Sequence, residues 1–159
     1  MGTNSGIYKL LLVLHLLAVT VGLGTVFLNG VYNARARRFG GERGTAVTVA
    51  NEEVSKIAEY AIYAIPVFGI LMVLTSDDAI QFGDTWIWLS LLIYVIAIGI
   101  SHAVLIPGHR RYNQLAESEG GPSAGEEAQG LEKRMAAAGG TLNVLVVVLI
   151  ALMVWKPGA

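Results

Sequence analysis

One stretch limits what this chain can become. Ile7 to Tyr32 reads IYKLLLVLHLLAVTVGLGTVFLNGVY, with one basic residue at its start, Lys9, and one histidine, His15; the next charge is Arg35. At about 1.5 Å per residue, a helix of this length crosses a hydrocarbon layer roughly 30 Å thick. A helix on a soluble core carries a polar face, and this stretch has none. It is read as a transmembrane helix. Its apolar core exceeds the ~7–15 residues of a cleavable signal, and no small-residue cleavage site follows before Arg35, so it is expected to be retained. Composition agrees: 54% of the 159 residues are hydrophobic and 14% are charged, against about 25% charged in soluble domains.

Three further apolar runs follow, giving spans at about 7–32, 55–75, 85–106 and 137–155. The second contains Pro66, which a membrane helix tolerates, usually with a kink. The third opens with Trp86 and Trp88, expected as interfacial anchors, and ends at Pro107 and Gly108. The fourth closes on Trp155, Lys156 and Pro157. Residues 33–46, NARARRFGGERGTA, read as a basic, glycine-rich loop, with Asn51 as N-cap of the second helix. Residues 113–130 read as a mobile cytoplasmic loop, rich in glycine and glutamate. The expected fold is all-α: a four-helix antiparallel transmembrane bundle forming one domain.

Basic residues set the orientation. The first connection holds Arg35, Arg37, Arg38 and Arg43; the third holds Arg110, Arg111, Lys133 and Arg134; the second holds no Lys or Arg and three aspartates, Asp77, Asp78 and Asp84. Connections one and three are expected in the cytoplasm and both termini outside, in a multi-pass protein of the bacterial plasma membrane. The arginines also suit anionic lipid headgroups. Aligning the basic end of span one with His109-Arg110-Arg111 sets Asn29 opposite His102, a parallel-repeat pattern that topology alone also produces. The net charge of −1 offers no surface for nucleic acid. The absence of cysteine removes disulfides and thiolate sites.

Polar groups are expensive in hydrocarbon, which makes His15, His102, Asn29 and Asn143 the ligand-binding candidates. His15 has two readings, a haem or metal ligand and a neutral histidine donating one interhelical bond. His102 has the same two, and the asparagines read as ligands or as interhelical glue. From the span centres, His15 lies about 6 Å outward and His102 about 9 Å inward. Their separation, ~15 Å along the membrane normal, disfavours one haem gripped by both. His102, Asn29 and Asn143 share the inner half and are expected to form one polar cluster. Gly22 and Gly24 read as a close-packing face, as do Gly139 and Gly140. There is no HExxH, Walker sequence or serine nucleophile elbow, so no catalytic residues are assigned.

The segment Leu14-His15-Leu16-Leu17-Ala18, the glycines that follow it, the WIWLSLL opening of span three and the closing LMVWKPG resemble an uncharacterised bacterial family of predicted four-helix integral membrane proteins. That family is distantly similar to the copper-resistance protein D and HemJ-type membrane proteins. The HemJ-type likeness implies that His15 matches a first-helix histidine implicated in binding haem b. The tryptophan and arginine expected after that histidine are apolar here and span three has no lysine, so porphyrinogen oxidation is not implied. Three functions follow as expectations. The first is an accessory or assembly subunit, with other membrane subunits or a homo-oligomer as partners. The second is a haem- or metal-binding redox protein using His15. The third is a small transporter or proton-conducting oligomer.

Overall fold

The computed structural model describes residues 2–118 and 126–158. Among them there are helices and no strands: α1 (Gly6–Phe39), α2 (Gly41–Thr75), α3 (Thr85–Ile100), a π-helical turn (Ser101–Leu105), α4 (Ile106–Ser118) and α5 (Glu126–Trp155). Four helical stretches are long and apolar enough to cross a membrane: Gly6–Phe39, Gly41–Thr75, Thr85–Tyr112 and Glu126–Trp155. Large apolar side chains such as Leu17, Ile57, Tyr60, Val95, Val144 and Val154 are exposed along them, which only a lipid or protein surround makes tolerable.

The basic segment expected as a loop is helical instead. α1 continues through Arg38 to Phe39, and α2 begins at Gly41. Alanine and arginine are strong helix formers, and Arg37 and Arg38 in the last turn favour the helix dipole. The reversal is confined to Gly40 and Gly41, at φ +59° and +48°, which glycine adopts without a Cβ penalty. The Gly40 N–H closes α1 on the Ala36 carbonyl. Asn51 is therefore no N-cap. It lies inside α2, where its carbonyl accepts from the Ser55 hydroxyl at 2.7 Å. A cap absent from the sequence reading holds the other end of α1, where Ser5 Oγ accepts from the Tyr8 N–H at 3.2 Å.

Pro107 does not stop its helix either. Proline lacks an N–H and its ring presses on the carbonyl four residues back. The chain absorbs this by widening one turn: the Ile106 N–H reaches five residues back, to the Ser101 carbonyl. At the expected loop 113–130, α4 carries the helix to Ser118 and α5 resumes it at Glu126. Residues 119–125 lie outside the described residues.

The chain divides into two compact units, Met1–Leu91 with Leu152–Ala159, and Leu92–Ala151. The first is built on the antiparallel α1–α2 pair. Buried Tyr8, His15, Ala18 and Gly22 on α1 alternate steps of seven, three and four residues, and Ala58 and Ile65 on α2 repeat the step of seven. That spacing is the 3.5-residue period of helices that wind around each other left-handedly. The end of α5 also belongs to this unit. There the Lys156 ammonium lies 5.5 Å from the centre of the Trp86 ring. Trp86 is buried against its neighbours, whereas Trp88 and Trp155 are exposed. In the second unit, Gly108 of α4 meets Met135 of α5, and Arg111 Nε donates to Glu127 Oε1 at 2.9 Å.

The four glycines expected to pack closely do not behave alike. A Cβ on Gly22 would stand 2.9 Å from Ile62 Cγ1 and 3.1 Å from the Ile62 backbone nitrogen, whereas Gly24, Gly139 and Gly140 have nothing within 4 Å. Gly22→Ala is therefore expected to lower stability in detergent by about 1–3 kcal/mol, the usual cost of overpacking, while Gly24→Ala changes it by under about 0.5 kcal/mol. Denaturant titration of the two variants, followed by circular dichroism, checks the contrast.

Candidate functional site

In the first unit His15 and Asn29 lie along the α1–α2 seam, while Thr20 and Thr25 bond carbonyls of their own helix. His15, on the buried face of α1, is 8% exposed. Its Nδ1 lies 3.0 Å from the carbonyl oxygen of Ile65, immediately before Pro66. A carbonyl only accepts, so Nδ1 carries the proton and Nε2 keeps its lone pair. Helical carbonyls are normally shielded by the side chain one turn on. Here that residue is Gly69, and a Cβ on it would lie 3.4 Å from His15 Cε1 and 3.7 Å from Nδ1. The imidazole occupies the space that glycine leaves. About four turns along α1, the Ser55 hydroxyl of α2 donates to Asn29 Oδ1 at 3.2 Å.

The second unit treats its polar residues separately. His102, in the π-helical turn, is exposed and donates from Nδ1 to the Ile98 carbonyl at 3.0 Å. His109 does the same one helix on, to Leu105 at 2.8 Å. Asn143 is half-buried, and its side-chain oxygen is buried with no hydrogen-bond partner among the described residues. The cluster expected from His102, Asn29 and Asn143 does not take that form inside either unit. Asn29 is engaged by Ser55 in the first, while His102 and Asn143 belong to the second. His15 and His102 likewise belong to different units. Arg35, Arg37, Arg38 and Arg110 are exposed, and Arg111 holds Glu127.

The sequence reading missed Ser55, Ile65 and Gly69. A signal was present: Tyr8, His15, Gly22, Asn29 and Ala36 recur every seven residues, marking one seam of a wound helix pair. Chemically the seam offers a single imidazole with one free lone pair. Among the described residues no group of three or more His, Asp or Glu side chains is placed to hold a metal, and none supplies His15 with the carboxylate partner of a catalytic pair. Toward a cofactor His15 would offer one imidazole nitrogen.

The chain matches, over residues 9–157, the family described as "Predicted integral membrane protein (DUF2269)", and it belongs to that family. No curated protein and no solved structure matches it.

If the Ile65 carbonyl sets the tautomer, nitrogen NMR of the detergent-solubilised protein at neutral pH will show Nδ1 of His15 protonated and Nε2 bare. Gly69→Leu fills the imidazole's niche and is expected to abolish that signature, whereas Gly69→Ala, at ordinary contact distance, preserves it.

Proposed function

We propose that this integral membrane protein is an accessory or assembly subunit of a larger membrane complex. One observation carries the reading: on the α1–α2 seam His15 bonds Ile65 and Asn29 accepts from Ser55, each tying one helix to the other. Such bonds average about 0.6 kcal/mol in membranes and serve packing, not turnover. The exposed apolar helix surfaces leave ample area for neighbouring membrane subunits or further copies. Its location is the bacterial plasma membrane, with the α1–α2 and α4–α5 connections in the cytoplasm, because arginine and lysine concentrate there and are missing between α2 and α3.

A second reading rests on a different observation. The bond from Nδ1 to Ile65 leaves Nε2 of His15 as a lone pair fixed in direction, the arrangement that second-shell bonds impose on metal-bound histidines. In that reading the Nε2 lone pair of His15 would bind the iron of a b-type haem and supply one protein ligand to a redox group.

Purification from native membranes in mild detergent separates the two. The accessory reading expects a colourless sample carrying one or a few membrane proteins at fixed stoichiometry; a monomer free of partners contradicts it. A Soret band lost on His15→Ala supports the second reading. The chain has no cysteine, so orientation is directly testable. Glu42→Cys is expected to react with an impermeant maleimide only from the cytoplasmic side and Gln81→Cys only from outside; the reverse pattern inverts the topology.

A further inference from the structure

The α1–α2 hairpin outruns the hydrocarbon layer. Its apolar stretches are Ile7–Leu28 on α1, with Lys9 near its outer end and His15 within it, and Ile57–Thr75 on α2, whose inner end carries Glu59, which accepts from the Tyr63 hydroxyl at 2.8 Å. At ~1.5 Å per residue they measure about 33 and 28 Å, each close to the ~30 Å of lipid chains. Both end at the same level, the Asn29–Ser55 hydrogen bond. Beyond that bond α1 stays helical to Phe39, and α2 returns from Gly41.

This places charge at a definite depth. Arg35 lies about 9 Å and Arg38 about 14 Å past Asn29 along α1. The headgroup layer is ~5–8 Å deep on each side, and arginine side chains reach back toward it along their apolar stems. Arg35, Arg37, Arg38 and Arg43 are all exposed. The one acid among residues 33–46 is Glu42. Nearer the lipid, Glu52 and Glu53 are held by Lys56 at 3.7 and 2.9 Å, which blunts their repulsion of anions. Phe39, 53% exposed, sits at the turn. A loose loop would scatter these charges. The helical hairpin, joined through glycine, instead carries Arg35, Arg38 and Arg43 exposed near one end.

We propose that the end of this hairpin binds anionic phospholipid headgroups, its guanidinium groups pairing with the phosphate of phosphatidylglycerol-type lipids. The chemistry is the bidentate match of guanidinium to phosphate, and a polybasic cluster directly beside a transmembrane helix is the arrangement that anionic leaflets attract. It does not depend on the accessory-subunit reading.

The full-length protein in neutral detergent is equilibrated with equimolar phosphatidylglycerol and phosphatidylcholine, and bound lipid is counted by mass spectrometry. The wild type is expected to favour phosphatidylglycerol about five- to tenfold at low salt. The preference is expected to fall to near parity in the R35Q/R38Q/R43Q variant, and in the wild type at about 0.5 M salt, where screening shortens to a few ångströms. Parity in the wild type, or full preference retained by the helical variant, overturns the proposal. If the variant loses its helicity, the wild-type salt titration decides: a preference that survives high salt overturns the proposal. Displacement of the lipid by polyglutamate at matched charge also overturns it, assigning the surface to an acidic protein.

Discussion

Inside a bilayer a polar atom has no water to turn to, and its hydrogen bond must come from its own helix or from the one beside it. The α1–α2 pair is organised by that requirement. His15 reaches a backbone carbonyl that Gly69 leaves uncovered, and Asn29 takes the hydroxyl of Ser55. Between these two bonds Gly22 lets α1 approach the backbone of Ile62. Polar bond, close contact and polar bond fall seven residues apart on α1, so one seam carries both the register and the approach of the pair. The hydrogen bonds are individually weak. Their contribution is to distinguish this register from others that would pack leucine against leucine equally well.

Much of this was open to a reader of the residues, because the bilayer is a severe filter. Four long apolar runs admit few solutions, and four helical stretches are long and apolar enough to cross a membrane. What escaped was decided by finer physics. The arginine-rich stretch after Tyr32 reads as a loop if polarity is taken to end a helix, but a helix ends on backbone grounds, and alanine and arginine favour continuing it to Gly40. Pro107 reads as a stop, yet a π-helical turn absorbs it. Gly22 and Gly24 are alike in composition and differ only in which side of α1 faces α2. Ser55, the partner of Asn29 on α2, went unread, because depth alone says nothing of which helix is adjacent.

The same seam bears on function. A histidine in a membrane helix invites a chemical role, and His15 retains a lone pair suited to one. Yet the bond that orients it is also the simplest reason for it to be there. The family to which the chain belongs is described by its membrane character. The helix-to-helix bonds of His15 and Asn29, together with broad apolar flanks, are what the accessory-subunit proposal rests on. The basic hairpin end carries the separate proposal of a contact with anionic lipid. Its helical form, unexpected from composition, turns a topology signal into a compact cationic surface.

The register of the α1–α2 seam is the claim from which the rest follows, and the absence of cysteine makes it directly measurable. Paired cysteines at Asn29→Cys and Ser55→Cys, oxidised mildly in native membranes, are expected to form an intramolecular disulfide rapidly and nearly completely, while Asn29→Cys with Ile62→Cys, two turns away along α2, stays reduced. Equal cross-linking of the two pairs, or preference for the second, would contradict the seam.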